Sequence, residues 1–233
     1  MKYGFVKVAA ATPKIRVADV KFNTERILEG IGEAESSGVQ LLVFPELCVC
    51  GYTCGDLFGQ DVLLDGCERA LAEIAGATKG KKMLVFVGLP FRFAGVLYNC
   101  AAALSGGKVI ALVPKSNLPN YAEFYEKRNF TAYRGENVRI AWNGEEVVFG
   151  NKIIFADEKE KYFTVAAEIC EDLWVPQSPS VSHALAGANI IVNLSASDET
   201  TGKAEYRRLL VRSQSAKIVA GYVYADAGEG EST

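Results

Sequence analysis

The chain has 233 residues, of which 49% are apolar and 23% are charged, and its formal net charge is −3. This length is enough to bury the core of one α/β domain, and the small net charge offers no basic surface for nucleic acid. No apolar run approaches the roughly 20 residues that a membrane-spanning helix needs, so the sequence predicts no nucleic-acid partner and no membrane partner.

Short β-rich runs alternate with longer amphipathic runs along the chain, which is the pattern of an α/β protein built from stacked layers. Strands are predicted at residues 3–9, 40–44, 83–89, 97–104, 108–113, 152–155, 162–169, 189–194 and 218–225. Helices are predicted at residues 20–36, 62–77, 180–186 and 202–215.

Two hairpin-like pairs of strands, around residues 97–113 and 152–169, favour mixed sheets over a purely parallel sheet. Gly106 and Gly107 form the clearest turn. Residues 129–150 are predicted to be an excursion over the surface, and no Pro/Gly/Ser-rich linker divides the chain. We therefore expect a single domain over residues 1–233, and the closing GEGEST run suggests a piece of a longer protein.

The sequence contains six cysteines, and no signal peptide is recognisable before them. We expect them to be reduced and the protein to be cytoplasmic. Three of them form a CxCxxxC run that resembles a metal-binding motif, but no further ligands follow at a recognised spacing. The prediction is that these thiols pack around the neighbouring loop and that the chain holds no metal. The six are Cys48, Cys50, Cys54, Cys67, Cys100 and Cys170.

Reactive side chains follow three predicted strands at the point where each strand ends. Glu46 and Lys115 each come directly after a proline, which cannot donate a hydrogen bond to a continuing ladder, and Cys170 ends the run FTVAAEIC. Ligands of α/β proteins bind outside the carboxyl ends of strands, so the three side chains could converge on one pocket.

The residue types at these three positions are those that acyl transfer needs. A thiolate is the nucleophile, a carboxylate can take its proton and later activate water, and an ammonium can stabilise an oxyanion. The only histidine, His183, lies in a predicted helix, where a surface or capping role is favoured over catalysis. The base that serves Cys170 is then predicted to be a carboxylate.

Four longer motifs carry a resemblance to the nitrilase (carbon-nitrogen hydrolase) superfamily, whose catalytic glutamate, lysine and cysteine occur in this chain order. They also resemble the glutaminase domain of glutamine-dependent NAD synthetases over essentially the whole chain. The resemblance implies a four-layer α-β-β-α sandwich with mixed sheets. The motifs are FPELCVCGYTCGDLF, PKSNLPNYAEFYEKRNF, EICEDLW and NLSASDETTGKAEYRR.

The same resemblance implies a role for each site residue. Cys170 would attack the amide carbon of glutamine, Glu46 would act as general base, and Lys115 with the backbone N–H of Glu171 would hold the oxyanion. A second glutamate that orients the lysine falls on Glu126, with Glu123 as the alternative. Lys203 stands where relatives commonly carry arginine. The implied glutamine pocket comprises Tyr52, Tyr121, Phe124, Glu171, Ser197 and Lys203.

The partners implied by the resemblance are L-glutamine, an NAD synthetase domain and further copies of the same chain in a homo-oligomer. The synthetase domain would follow this chain and use ATP and magnesium, whereas the glutaminase domain needs no cofactor. The ammonia would amidate nicotinic acid adenine dinucleotide to NAD. Two alternatives remain open: a free-standing amidase acting on another carbon-nitrogen bond, and a non-catalytic module on the same fold.

Overall fold

The structure, a computed structural model, describes residues 4–160 and 162–231 and contains two mixed sheets. The larger sheet has the strand order β1-β2-β3-β4-β5-β7-β6, with β1, β2 and β3 parallel and β3, β4 and β5 antiparallel. Its strands are β1 (Val8–Ala10), β2 (Leu41–Val43), β3 (Leu84–Phe93), β4 (Val96–Ser105), β5 (Lys108–Pro114), β6 (Val138–Trp142) and β7 (Glu145–Phe149).

The smaller sheet has four strands in the order β11-β10-β9-β8. Three of them are parallel, and β8 pairs with β9 in the antiparallel direction. Since β5 returns to the direction of β2, the strands of the larger sheet that precede Glu46 and Lys115 end at the same edge. The strands of the smaller sheet are β8 (Phe155–Ala156), β9 (Thr164–Ile169), β10 (Ile190–Leu194) and β11 (Gly221–Ala225).

Helices cover the outer face of each sheet. The first two pack on the larger sheet, and the last two contact β9 and β11 of the smaller sheet. Asp19 begins the first helix, because its side chain accepts a hydrogen bond from the Phe22 N–H at 3.1 Å. The helices are α1 (Val20–Ser36), α2 (Asp61–Ala77), α3 (Pro179–Leu185) and α4 (Lys203–Ile218). The predicted α-β-β-α sandwich is confirmed.

Side chains of β4 point alternately to the two faces of the larger sheet and so contribute to two separate apolar cores. Cys100, Ala102 and Leu104 point to the helix layer, whereas Ala101 and Ala103 point to the smaller sheet. Small side chains on the inner face let the two sheets approach closely, with larger groups such as those of β2 and β9 filling the space between them. The two sheets therefore meet over a continuous apolar layer, and the loops at their shared edge are held close together.

Most predicted elements are confirmed, with bounds that shift by a few residues. The helix at 20–36 and the turn at Gly106 and Gly107, with φ of 62° and 90°, are found as predicted. The first strand is shorter than predicted, and the part of that prediction at residue 3 lies outside the described residues.

The prediction that residues 129–150 run over the surface is wrong for their second half. Strands β6 and β7 form a hairpin that extends the larger sheet, with β7 parallel to β5. Its turn is Asn143-Gly144, where both φ angles are positive, at 49° and 76°. Val147 and Phe149 are buried. The strand pattern is concealed by exposed charged residues, which are Arg139, Glu145 and Glu146.

The strand predicted at 152–155 is also largely absent, since β8 covers only Phe155–Ala156. The Asn137 side chain accounts for the difference because it occupies both backbone groups of Lys152. Its Nδ2 donates to the Lys152 carbonyl oxygen at 2.7 Å, and its Oδ1 accepts from the Lys152 N–H at 3.2 Å. A side chain therefore replaces the ladder partner that a strand would need.

No helix within residues 4–160 and 162–231 is long and apolar enough to cross a membrane.

Candidate active site

Glu46 is placed by a tight loop that follows β2 and lies flat against β3. The Glu46 N–H donates to the Ser195 carbonyl oxygen at 3.2 Å, and the Val49 N–H donates to that of Gly88 at 3.1 Å. Leu47 has a positive φ of 51°, which a non-glycine residue adopts only when surrounding contacts hold it there. The loop is thus fixed to both sheets, and its glutamate is almost fully buried.

Gly88 on β3 makes the close approach of this loop possible. A Cβ at this position would lie 2.3 Å from the Leu47 nitrogen, 2.6 Å from the Pro45 oxygen and 2.8 Å from the Glu46 carbonyl carbon. All three are backbone atoms, which cannot move away as a flexible side chain would. The absence of a side chain at Gly88 therefore sets the position of Glu46.

Gly88→Ala is expected to lower the free energy of unfolding by about 1–3 kcal/mol, the usual cost of overpacking. Urea denaturation measures this change. The matched control is Gly76→Ala in α2, where a Cβ meets nothing within 4 Å. That variant should be neutral or gain up to about 1 kcal/mol, because alanine has the higher helix propensity. Equal stability of the two variants would contradict the role given to Gly88.

Lys115 lies between two carboxylates in a fully buried ion-pair array. Its Nζ is 2.6 Å from Glu46 Oε1 and 2.6 Å from Glu126 Oε1, and its side chain has no exposed surface. Burial by itself would lower the pKa of the Lys115 ammonium, but the charges of Glu126 and Glu46 outweigh it and raise that pKa well above its ordinary value. The two carboxylates therefore favour the charged form of Lys115.

Glu126 completes the array from a short 3-10 turn, Glu126–Arg128. Its Oε1 also accepts a hydrogen bond from the Tyr52 hydroxyl at 2.8 Å. Burial raises the pKa of Glu126 to about 7, the Lys115 ammonium opposes this shift, and the Glu46 carboxylate adds to it. Glu123, the other candidate, is exposed. Of the two glutamates, it is Glu126 that contacts Lys115.

Cys170 stands at the junction between β9 and a 3-10 turn, Cys170–Leu173. It has a positive φ of 44°, and its N–H donates to Asn193 Oδ1 at 3.1 Å. Burial raises the pKa of the Cys170 thiol well above its ordinary value, the Glu46 carboxylate raises it further, and Lys115 lowers it. The strained backbone places the sulfur at the sheet edge. The raised pKa favours the neutral thiol form of Cys170.

The backbone N–H of Ala196 joins the cysteine to the glutamate. It donates to Glu46 Oε2 at 3.1 Å. The same N–H also lowers the pKa of the Cys170 thiol. The loop after β10 therefore places one N–H where it bonds to the carboxylate and acts on the pKa of the thiol.

Asp172 connects the loops that carry Lys115 and Cys170. Its carboxylate accepts hydrogen bonds from the Ile169 N–H at 3.1 Å and from the Asn117 N–H at 2.8 Å. Burial and the Glu168 charge raise the pKa of Asp172 to about 7. The Ile169 N–H and the side-chain amide of Asn117 oppose the shift. The carboxylate fixes the two loops in one arrangement.

Two asparagines of the site were not predicted from the sequence. Asn99 on β4 donates to Glu46 Oε1 at 2.7 Å and to Glu126 Oε2 at 3.4 Å. The side-chain oxygen of Asn193 on β10 accepts the hydrogen bond from the Cys170 N–H. A signal was available, because each is a single amide in an otherwise apolar strand, LYNCAAAL and IIVNL, where a buried polar group needs partners.

The residues expected to form a substrate pocket divide into two groups. In the first, the Tyr121 hydroxyl donates to Glu171 Oε2 at 2.9 Å, and the ring of Phe124 meets those of Tyr52 and Tyr121 edge-on at 6.2 and 5.8 Å. Burial raises the pKa of Glu171, and the Tyr121 hydroxyl and Lys115 oppose it. This group adjoins the Lys115 array through Tyr52.

The second group surrounds Ser197 and Lys203 and includes three residues that the sequence did not single out. Ser197 donates its N–H to Asp226 Oδ1 at 2.9 Å, and its hydroxyl accepts from Arg207 at 3.2 Å. Lys203 pairs with Asp198, and its Nζ lies 5.4 Å from the centre of the Phe124 ring. Burial lowers the pKa of Lys203. The contact with Phe124 links the two groups.

His183 and the cysteine run lie outside this arrangement. His183 is on α3, where its Nε2 is 2.9 Å from the Asn151 carbonyl oxygen, and it is buried rather than on the helix surface as predicted. All six cysteines are free. Among the described residues, no group of three or more His, Cys, Asp or Glu side chains could hold a metal ion.

A four-layer sandwich with a buried glutamate, lysine and cysteine at the shared edge of its sheets defines a hydrolase of the nitrilase type. The chain belongs to the carbon-nitrogen hydrolase family, since the family model described as "Carbon-nitrogen hydrolase" matches residues 7–225.

Similar proteins include larger enzymes and separate amidases. The chain is 44% identical over 232 residues to a glutamine-dependent NAD(+) synthetase of Mycobacterium tuberculosis, covering 100% of this chain and 34% of the relative. A crystal structure of a glutamine-dependent NAD(+) synthetase from Cytophaga hutchinsonii superposes with a TM-score of 0.85 at 32% identity, covering 96% of this chain and 36% of the other. The chain therefore spans about a third of the length of these relatives.

An amidase from Nesterenkonia sp. shares the fold at greater distance. It superposes with a TM-score of 0.73 at 19% identity, and the match covers 97% of this chain and 78% of the amidase. At this identity the likeness concerns the fold alone.

Proposed function

We propose that this domain hydrolyses the side-chain amide of L-glutamine to glutamate and ammonia through a thioester on Cys170. The observation that carries the proposal is a buried thiol whose pKa is raised by burial and by the charge of the Glu46 carboxylate, which itself lies 2.6 Å from Lys115 Nζ. Such a thiol becomes nucleophilic only when a neighbouring base takes its proton. The likeness to glutamine-dependent NAD synthetases supports glutamine as the substrate.

In the first half of the reaction, Glu46 takes the thiol proton while the Cys170 sulfur attacks the amide carbon. Lys115 has three N–H bonds, and two are directed at Glu46 and Glu126, which leaves the third for the oxyanion. The N–H of Glu171, in the first turn of a 3-10 helix, supplies the second donor. The proton on Glu46 passes to the amide nitrogen, the carbon–nitrogen bond breaks and ammonia leaves.

In the second half, Glu46 takes a proton from water, and the resulting hydroxide attacks the thioester carbon. The carbon–sulfur bond breaks, glutamate leaves, and the proton returns to the Cys170 sulfur. Glu126 acts by holding Lys115 in place, since Lys115 lies between the two glutamates at 2.6 Å from each. One carboxylate thus serves as base in both halves of the cycle.

Recognition of glutamine is assigned to Tyr52, Tyr121, Phe124, Glu171, Ser197 and Lys203. Glu171 and Lys203 carry opposite charges, which suits a substrate with an α-ammonium and an α-carboxylate at the end remote from the amide. Phe124 and Tyr52 would contact the methylene groups between the two ends. Lys203 is held by Asp198 and binds a carboxylate with one ammonium rather than with the two-pronged grip of arginine.

For the parent protein, we propose that residues 1–233 form one glutaminase domain followed by a C-terminal NAD synthetase domain. Ammonia from this site would amidate nicotinic acid adenine dinucleotide to NAD there, with ATP and magnesium bound only by that second domain. The protein is proposed to be cytoplasmic and to form a homo-oligomer. The coverage of about a third of each synthetase relative supports the two-domain arrangement.

The test measures ammonia release from L-glutamine and from short aliphatic amides, with Cys170→Ala and Cys67→Ala proteins alongside. Cys67 is a buried cysteine of α2 and serves as the matched control. The proposal predicts a clear preference for glutamine, activity lost in Cys170→Ala and activity retained in Cys67→Ala. Equal or faster turnover of a short amide would instead indicate an amidase for another carbon-nitrogen bond, and no turnover of any amide would favour a non-catalytic module.

A further inference from the structure

Residues 226–231 form a segment that leaves β11 and crosses the chain before α1, with a turn at Gly230. The Thr12 hydroxyl donates to the Asp226 carbonyl oxygen at 3.0 Å, and the Ile15 N–H donates to that of Glu229 at 2.9 Å. At Gly230, a Cβ would lie 1.9 Å from the Ile15 oxygen. Only glycine lets the segment lie this close, so its course is closely fixed.

The segment delivers the carboxylate of Glu231 to the loop that carries Tyr52. Its Oε1 accepts from the Tyr52 N–H at 3.0 Å, and its Oε2 accepts from the Thr53 N–H at 3.2 Å. Gly51 has a φ of 93°, and a Cβ there would lie 2.8 Å from Glu231 Oε1. Two successive backbone N–H groups thus form a concave site filled by one carboxylate.

Tyr52 connects this carboxylate to the buried ion pairs. Its backbone N–H donates a hydrogen bond to Glu231, and its hydroxyl donates to Glu126 Oε1 at 2.8 Å. The same oxygen of Glu126 lies 2.6 Å from Lys115 Nζ. A continuous series of hydrogen bonds therefore runs from Glu231 through Tyr52 and Glu126 to Lys115.

We propose that Glu231 is a positioning residue for amide hydrolysis, acting through Tyr52 to hold Glu126 and Lys115 in their reactive arrangement. The inference rests on the proposed function, because its consequence is expressed at the oxyanion site. Glu231 touches neither the sulfur nor Lys115. It fixes the backbone of Tyr52, and a shift of that backbone would displace the hydroxyl that aligns Glu126.

The experiment compares Glu231→Ala, Tyr52→Phe and the double variant in glutamine hydrolysis. Loss of positioning is expected to lower kcat in Glu231→Ala by about 10–100-fold, a usual effect of displacing a reactive group by an ångström or less. In the Tyr52→Phe background, which has already lost the link to Glu126, the same change should cost less than about threefold, because contacting residues are not additive. Equal fold-losses in both backgrounds would contradict the proposal.

Two further variants separate positioning from a general effect on folding. Glu229→Ala removes a neighbouring carboxylate that pairs with Lys14 and does not reach Tyr52, so its kcat should match that of the unmodified protein. Glu231→Gln keeps one acceptor oxygen and should recover most of the kcat lost in Glu231→Ala. If Glu231→Ala does not fold, Glu231→Asp, whose shorter side chain withdraws the carboxylate from the Tyr52 N–H, takes its place in the two Tyr52 backgrounds, where a loss independent of Tyr52 would overturn the proposal.

A readout that does not use glutamine distinguishes failure of this inference from failure of the proposed function. Alkylation of Cys170 by iodoacetamide depends on its thiolate, which Lys115 stabilises. Glu231→Ala should slow alkylation at neutral pH and shift the pH profile of alkylation to higher pH. In the Tyr52→Phe background, adding Glu231→Ala should leave the alkylation rate and its pH profile unchanged. An unchanged profile would overturn the inference even if glutamine is hydrolysed, whereas a shifted profile without glutaminase activity would count only against the substrate.

Discussion

Glu46→Gln is expected to lower glutamine hydrolysis by about 100-fold to 10,000-fold, the range attributed to a single general base. Burial and the Glu46 charge keep the Cys170 thiol neutral, so sulfur attack requires a base that accepts its proton. Glutamine at position 46 retains the shape of the side chain but cannot take a proton at neutral pH. The loss should fall mainly on kcat, because Glu46 acts on the reacting sulfur rather than on substrate binding.

The matched control is Glu73→Gln, the same change at an exposed position of α2. Steady-state kinetics on both variants, with circular dichroism to verify the fold, measures the effect. Glu73→Gln should leave kcat unchanged. Activity of Glu46→Gln within about tenfold of the unmodified protein would remove Glu46 from the role of base.

Lys115→Met is expected to lower the free energy of unfolding by about 3–5 kcal/mol near neutral pH, the usual cost of removing one partner from a buried ion pair. The Lys115 side chain is fully buried and forms ion pairs with both Glu46 and Glu126. Methionine fills a similar volume but leaves two carboxylates facing each other without a cation. Glutamine hydrolysis should be lost in the same variant, since the oxyanion loses its principal donor.

The instability of Lys115→Met should grow as the pH rises. A buried carboxylate without a cation has a pKa above the value of about 4.3 that the unfolded chain shows. Between that pH and its raised pKa, the folded protein binds more protons than the unfolded chain, so the free energy of unfolding falls as pH rises. Burial already raises the pKa of Glu126 to about 7 while Lys115 opposes the shift, so the window extends above that pH in the variant.

Urea denaturation at several pH values from about 5 to about 8 measures this effect. The control is Lys152→Met, whose ammonium pairs with Glu136 at the surface, where both side chains are more than half exposed. An exposed pair contributes at most about 1 kcal/mol, so the control should remain close to the unmodified protein at each pH. A pH-independent loss in Lys115→Met would contradict the buried-charge explanation.

The convergence of Glu46, Lys115 and Cys170 could be predicted because it depends on local patterns. Apolar runs that end at a proline or at a polar stretch mark strand ends, and the geometry of α/β sheets brings such ends together. The four-layer arrangement and the placement of Glu126 beside Lys115 were predicted instead from family resemblance. Glu126 lies in a loop whose approach to Lys115 is set by tertiary contacts with no local period to reveal them.

The hairpin of β6 and β7 was missed although Asn143-Gly144 is a strong turn signal. Its strands are partly exposed, so charged residues interrupt the apolar alternation by which a strand is recognised. Other features had no local signal at all. The contact of Glu231 with the N–H groups of Tyr52 and Thr53 joins positions 179 and 178 residues apart in the sequence, which only the assembled fold brings together.

The most direct test of Cys170 as the nucleophile is rapid-quench intact-mass measurement of the domain during its reaction with L-glutamine. We expect a transient mass increase equal to one glutamyl group, located by peptide mapping on Cys170 and absent from Cys170→Ala. Ammonia release without any adduct, or an adduct on another cysteine, would contradict Cys170 as the nucleophile.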